Sequence, residues 1–266
     1  MSARLLPRLP VSRADLDAIS LQDWQAVLRG EPETALTWVR AAAALGHAEA
    51  QTVMGQWLLD GHGVLRDPTQ ALHSFLLAAH QGHAMGMNMA GRCHEQGWGT
   101  EVDFGKAAHW YRQAAKLALP QARYNLANLL ASGQGVQRDH AQAFALYQQA
   151  ADQGYAKAFA KLGRYHEDGL VVPQDAALAT RCYRRGAEGG DFRGQFCYAG
   201  MLASGGQRDE AMRWLVKVMD TATNAYLREA GELLLSSTHA DLQQIGRRML
   251  DKGVRRSALK TSRLKT

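Results

Sequence analysis

Histidine followed by glutamate occurs at His94-Glu95 and again at His166-Glu167, the opening of a zinc-hydrolase helix. That chemistry needs a second histidine four residues on, so that two imidazoles on one helical face share an ion. Positions 98 and 170 hold Trp98 and Leu170 instead. The two histidines recur two structural periods apart, which for stacked helices means ~20 Å, far beyond metal–ligand bonds of ~2 Å. Leu58, Leu130 and Leu202 occupy the equivalent positions, so both histidines read as partly buried packing residues. Ser257-Ala258-Leu259-Lys260 matches the Ser-x-x-Lys of penicillin-recognising enzymes, but its companion motifs are missing. The pairs Gly61/Gly63, Gly97/Gly99 and Gly133/Gly135 lack the preceding strand and further glycines of a phosphate loop, and read as turns. No nucleophile–base pair, dinucleotide fingerprint or metal set emerges, and the expectation is no catalytic residue, no metal and no cofactor.

The elements that would position any site follow a 36-residue beat. Gly46, Gly82, Gly154 and Gly190 fall on it, with Ala118 at the missing place. Gly61, Gly97, Gly133, Gly169 and Gly205 form a second series, and Asp67, Asp103, Asp139 and Asp175 a third. A fixed period of ~20–50 residues marks an array in which each unit buries its apolar face against its neighbours. Two apolar segments recur per beat with helical spacing. The first carries a small residue at Gly55, Gly91, Ala127, Gly163 and Ala199, where a neighbouring helix is expected to approach closely. It ends at the second glycine series, suited to left-handed C-caps. The second segment starts at the aspartates, favoured near a helix N-terminus by capping and the dipole. It carries Phe75, Tyr111, Tyr147 and Tyr183 among paired alanines. Large residues alternating with small ones let helices interlock.

These residues resemble the Sel-1-like repeat family, relatives of the tetratricopeptide repeats. The signature is Leu126-Ala127…Gly133-x-Gly135-Val136…Asp139…Ala143…Tyr147…Ala150-Ala151…Gly154. Four units, roughly 48–190, match well. The stretch 15–47 reads as a degenerate first unit, the unit from 191 has a loop four residues shorter, and 221–250 reads as two helices without the glycines. The resemblance implies an all-α, right-handed superhelix of about seven helix pairs over 15–250; the residues outside it read as a flexible leader (1–14) and a basic, disordered tail (251–266).

In helix-pair solenoids the first helix of each unit lines the concave surface. Two non-repeating positions run along it: Val53, Met89, Asn125, Lys161, Cys197 and Gln56, Arg92, Asn128, Arg164, Gly200. They converge on Arg92, Asn125, Asn128, Lys161 and Arg164, cations and amides able to hold a peptide carboxylate by charge-assisted hydrogen bonds. A solvated face is the alternative reading.

The net charge of +6 is concentrated: residues 247–266 carry eight basic side chains against Asp251, so everything before them sums to −1. Arg247, Arg248, Arg255, Arg256 and Lys260 are candidates for nucleic-acid or acidic-surface contact, although no aromatic residue interleaves them for base stacking. Cys93, Cys182 and Cys197 recur at no fixed spacing and fit a reducing compartment; Cys93 and Cys182 read as buried packing residues. No stretch reaches the ~18 apolar residues of a membrane span, and the start of the chain lacks a signal-peptide core. The expectation is a cytoplasmic, non-enzymatic bacterial adaptor binding a protein or peptide, an immunity-type inhibitor being a variant. Nucleic-acid association through the tail is the alternative, and a hydrolase acting on cell wall or a small molecule a third class.

Overall fold

The computed structural model describes residues 13–263, and every regular element among them is a helix. In chain order the fifteen are α1 (Arg13–Ala18), α2 (Leu21–Arg29), α3 (Pro32–Ala44), α4 (Ala48–Asp60), α5 (Pro68–His80), α6 (Ala84–Gln96), α7 (Phe104–Lys116), α8 (Pro120–Ser132), α9 (His140–Asp152), α10 (Ala156–Asp168), α11 (Ala176–Glu188), α12 (Phe192–Ser204), α13 (Arg208–Thr221), α14 (Asn224–Leu235) and α15 (Ala240–Arg263). By sequence order, α2 onward make seven consecutive pairs, the all-α solenoid architecture expected from the beat. Two compact units divide between Asp139 and His140, α1–α8 in one and α9–α15 in the other. No described helix is long and apolar enough to cross a membrane. The expected leader, but for its last two residues, lies outside the described residues.

The beat residues are the punctuation of these helices. Gly61, Gly97, Gly133 and Gly169 cap α4, α6, α8 and α10 in the left-handed region, at φ 72, 70, 75 and 68°. Each donates its N–H to the carbonyl four residues back, satisfying groups the helix end leaves open. Asp67, Asp103 and Asp175 cap the next helices: Asp67 accepts from Thr69 and Gln70 N–H at 3.0 Å, Asp103 from Lys106 at 2.8 Å and Asp175 from Leu178 at 2.8 Å. Gly205 departs from its series. Its φ is −81°, and Gly206 carries the positive φ of 81°. With the long loop deleted, α12 ends in the tight turn that also ends α5, where Gln81 has φ −85° and Gly82 φ 82°.

Within a repeat, the small residue of the first helix receives the aromatic ring of the second. A Cβ added at Gly55, Gly91 or Gly163 would sit 2.6, 2.7 or 2.5 Å from the rings of Phe75, Tyr111 or Tyr183. The rings are fully buried, so this interlock is where each pair's apolar area leaves water, at about 25 cal/mol per Å2. The Tyr183 hydroxyl then donates to Glu167 Oε2 at 2.5 Å, and the Tyr111 hydroxyl to Glu95 Oε2. Both glutamates of the His-Glu pairs are thus ties between paired helices. Cys93 is fully buried, and burial pushes its thiol up to about 12. Cys182 is only half-buried, a correction to the burial expected of it, and it shares that exposure with Trp110 and Trp214 at the same register of α7 and α13.

The C-terminal segment differs from expectation. One helix, α15, runs through Arg263 where two separate features, a helix and a disordered tail, were expected. Lys252 reaches Asp220 at 2.7 Å, and Arg256 donates to the carbonyls of Ala222 and Asp220 at 3.1 and 3.3 Å. These bonds cap the C-terminus of α13 and tie the basic segment to it.

Candidate partner-binding site

The first helices of the repeats are α4, α6 and α8 in one unit and α10, α12 and α14 in the other. In the N-terminal unit Arg92, on α6, is half-buried. Its guanidinium lies over the Trp98 indole, 5.0 Å from the ring centroid, with Nη1 3.7 Å from Met89 Sδ. Among the described residues it meets no carboxylate within ion-pair distance. Asn125, one repeat on in α8, donates to Asn88 Oδ1 at 3.0 Å, and Asn88 is buried. That bond links the first helices of adjacent repeats and commits the Asn125 amide N–H, leaving its oxygen for other uses. Asn128 follows one turn later on the same helix, half-buried.

In the C-terminal unit Lys161 and Arg164 lie on α10 with opposite fates. Arg164 is exposed and already paired, Nε to Asp168 Oδ2 at 2.7 Å, with Glu167 at 4.0 Å. Lys161 is half-buried, and desolvation pushes its pKa down, Arg193 adding to the effect and Asp191 opposing it. Asp191 is itself buried. Its Oδ2 accepts from Gly194 N–H at 2.9 Å as the N-cap of α12, while Oδ1 has no partner. Burial pushes this carboxyl up, against the Gly194 hydrogen bond and the cations Arg193, Lys157 and Lys161. Arg193 stacks over Phe192 at 4.7 Å and Tyr226 at 5.5 Å, and Tyr226 packs on Phe192 and Phe196 at 4.7 and 6.0 Å. Such platforms hold a guanidinium in place with its N–H edge outward.

Arg193, Tyr226, Trp98 and Asn88 were missed from sequence. The signal for Arg193 was available: it occupies in α12 the register of Lys157 in α10. The pairing of Arg164 was legible too, since Asp168 stands four residues on. Of the basic segment, Arg247, Arg248 and Arg255 are exposed, Arg256 is spent on α13, and the Lys260 side chain lies outside the described residues.

His94 and His166 are packing residues in part. His94 is buried, with Nδ1 unpartnered and its pKa pushed down first by desolvation, then by Lys106, against Asp103. His166 packs on the Phe144 ring at 5.8 Å. No group of three His, Cys, Asp or Glu side chains that could hold a metal occurs among the described residues.

The family model described as the Sel1 repeat matches residues 26–47, 48–83, 84–119, 120–155 and 156–191. Among solved structures, a Sel1 repeat protein from Oxalobacter formigenes is 25% identical with a TM-score of 0.73, over 89% of this chain and 99% of its own. A protective antigen of uropathogenic Escherichia coli strains is 26% identical with a TM-score of 0.63, over 88% of this chain and 52% of the antigen. An immunity protein from Pseudomonas aeruginosa shares the fold at 16% identity, with a TM-score of 0.55, over 78% of this chain and 81% of its own. No curated protein matches the chain.

Proposed function

The chain belongs to the Sel1 repeat family, and from that premise we propose that it is a non-catalytic scaffold holding a protein partner on the exposed faces of its first helices. The observation that carries this reading is a set of cations on those helices with no carboxylate within ion-pair distance: Arg92 in one unit, and Lys157, Lys161 and Arg193 in the other, where the single buried carboxyl of Asp191 acts on all three from farther off. Among the described residues none of the four takes part in an ion pair. Cations on a structural surface are ordinarily screened or paired; cations fixed over aromatic rings and partly desolvated gain most from an anion brought by a partner. The partner's recognised feature is therefore acidic, a side-chain or terminal carboxylate. An inhibitory binder of the immunity type is a variant of the same reading, and free thiols at Cys93, Cys182 and Cys197 agree with a reducing, cytoplasmic setting.

Nucleic-acid association through Arg247, Arg248 and Arg255 is the competing reading, and co-purification separates the two. The protein is recovered at native expression with and without nuclease, alongside a variant with those three arginines changed to alanine. The scaffold reading expects a protein partner retained through nuclease treatment and by the variant. Recovery of nucleic acid alone, lost in the variant, would replace it.

A further inference from the structure

Between the first two full repeats of the N-terminal unit lies a cavity of about 280 Å3 lined by Gln56, Leu59, Asp60, Arg66, Arg92 and Trp98. That volume lies at the lower edge of the ~300–1,000 Å3 of small-molecule pockets, so the lining rather than the size says what it suits. Its floor is buried Leu59 beside the Trp98 indole, and its polar wall is two guanidiniums. Arg66 spends Nε on the Leu59 carbonyl at 3.0 Å, capping α4, and keeps its two terminal nitrogens. Arg138 and Gln174, its counterparts in later repeats, make the same kind of cap, to the carbonyls of Ser132 at 3.2 Å and Glu167 at 2.8 Å. In sequence register, the place that Arg92 holds relative to Arg66 is held by Arg164 relative to Arg138 and by Gly200 relative to Gln174, and Arg164 is already paired with Asp168.

The one acid in the wall, Asp60, is held by the Gln56 amide at 2.7 Å and lies within ion-pair distance of neither arginine among the described residues. Two guanidiniums against one carboxylate leave a single positive charge in a cleft with an apolar floor. A monoanionic group on a short aliphatic stem is complementary to it: the methylenes cover Leu59 and the indole, and the charge meets the fixed, indole-stacked guanidinium.

We propose that this cavity is the anchor pocket for a glutamate or aspartate side chain of a protein partner, received between Arg92 and Arg66 over Trp98. The proposal rests on the scaffold reading above and adds to it the residue class recognised and the place. Neither guanidinium has to leave another anion to receive it, and charge-assisted hydrogen bonds to a planar fork are the strong kind.

The test uses the full chain labelled with 5-fluorotryptophan, its Trp98 signal assigned by Trp98→Phe. The probe is the blocked peptide acetyl-Gly-Leu-Glu-Leu-Gly-amide, with the glutamine peptide as its neutral isostere. The glutamate peptide is expected to shift the Trp98 resonance saturably. The glutamine peptide, or the Arg92→Gln protein with an unchanged melting curve, should weaken that binding about tenfold or more, the scale of a hydrogen bond to a charged group. Equal shifts with both peptides, no shift with either, or undiminished binding by Arg92→Gln would overturn the pocket. A response to inorganic phosphate but not to the glutamate peptide would overturn the assignment to an acidic protein. If the pocket fails while the co-purifying protein still binds, the scaffold reading survives it; if that partner is also absent, both fall.

Discussion

At the scale of single residues, two positions pay for breaking the repeat. Ala118 stands where other repeats have glycine, and keeps φ 61°. Val171 stands where Gly63, Gly99 and Gly135 recur, and keeps φ 59°. A side chain with Cβ in the left-handed region costs ~1–2 kcal/mol, and a β-branched one is a genuine outlier. At Gly46, Gly82, Gly154 and Gly190 an added Cβ would meet nothing within 4 Å, so the cost at Ala118 is conformational. Ala118→Gly and Val171→Gly should each stabilise by roughly 0.5–1 kcal/mol, after glycine's extra unfolded-state entropy is subtracted. Denaturant midpoints check this; unchanged or lowered midpoints would contradict the strain. Sequence made the cap positions legible because backbone conformation admits few residue types there. It did not reveal how side chains are committed across repeats. Asn125 is tied to Asn88 of the preceding repeat, a pair 37 positions apart that no local spacing announces.

At the scale of elements, the glycine pairs do more than turn the chain. A Cβ on Gly99 would lie 2.2 Å from the Pro68 carbonyl oxygen, and one on Gly135 2.3 Å from the Phe104 carbonyl carbon. Each loop thus rests on the backbone at the start of the previous repeat's second helix, and this contact joins repeats. Gly63 has a similar φ of 67° but nothing within 4 Å of its would-be Cβ. Gly63→Ala should therefore cost only the left-handed penalty of ~1 kcal/mol, and Gly135→Ala an additional ~1–3 kcal/mol of overpacking against backbone. Equal losses in the two variants would remove the inter-repeat contact from the account. The sequence marked these glycines as turn residues and stopped there, since both kinds of site look alike until the neighbouring helix is placed. The same limit applied to α15, whose helical continuation depends on Lys252 and Arg256 finding α13.

At the scale of the whole molecule, the 36-residue beat specified the helix pairs and their order, because each beat residue has one conformational duty. The binding face is legible only in part. Lys161 and Arg92 stand out as non-repeating first-helix cations, but Arg164 is neutralised by Asp168 and Arg193 joins instead through its ring stack. The central claim is that these first-helix cations, rather than surface charge in general, hold an acidic protein partner. Its most direct measurement is the affinity of the co-purified partner for the wild type, for Lys161→Ala with Arg193→Ala, and for the charge-matched control Lys106→Ala with Arg184→Ala on second helices. The account predicts about a tenfold or greater loss in the first variant, partly mimicked in the wild type by added salt, since screening acts over ~8–10 Å near physiological ionic strength. It predicts little change in the control. Equal affinities for wild type and the Lys161/Arg193 variant, with both folds intact by their melting curves, would contradict it.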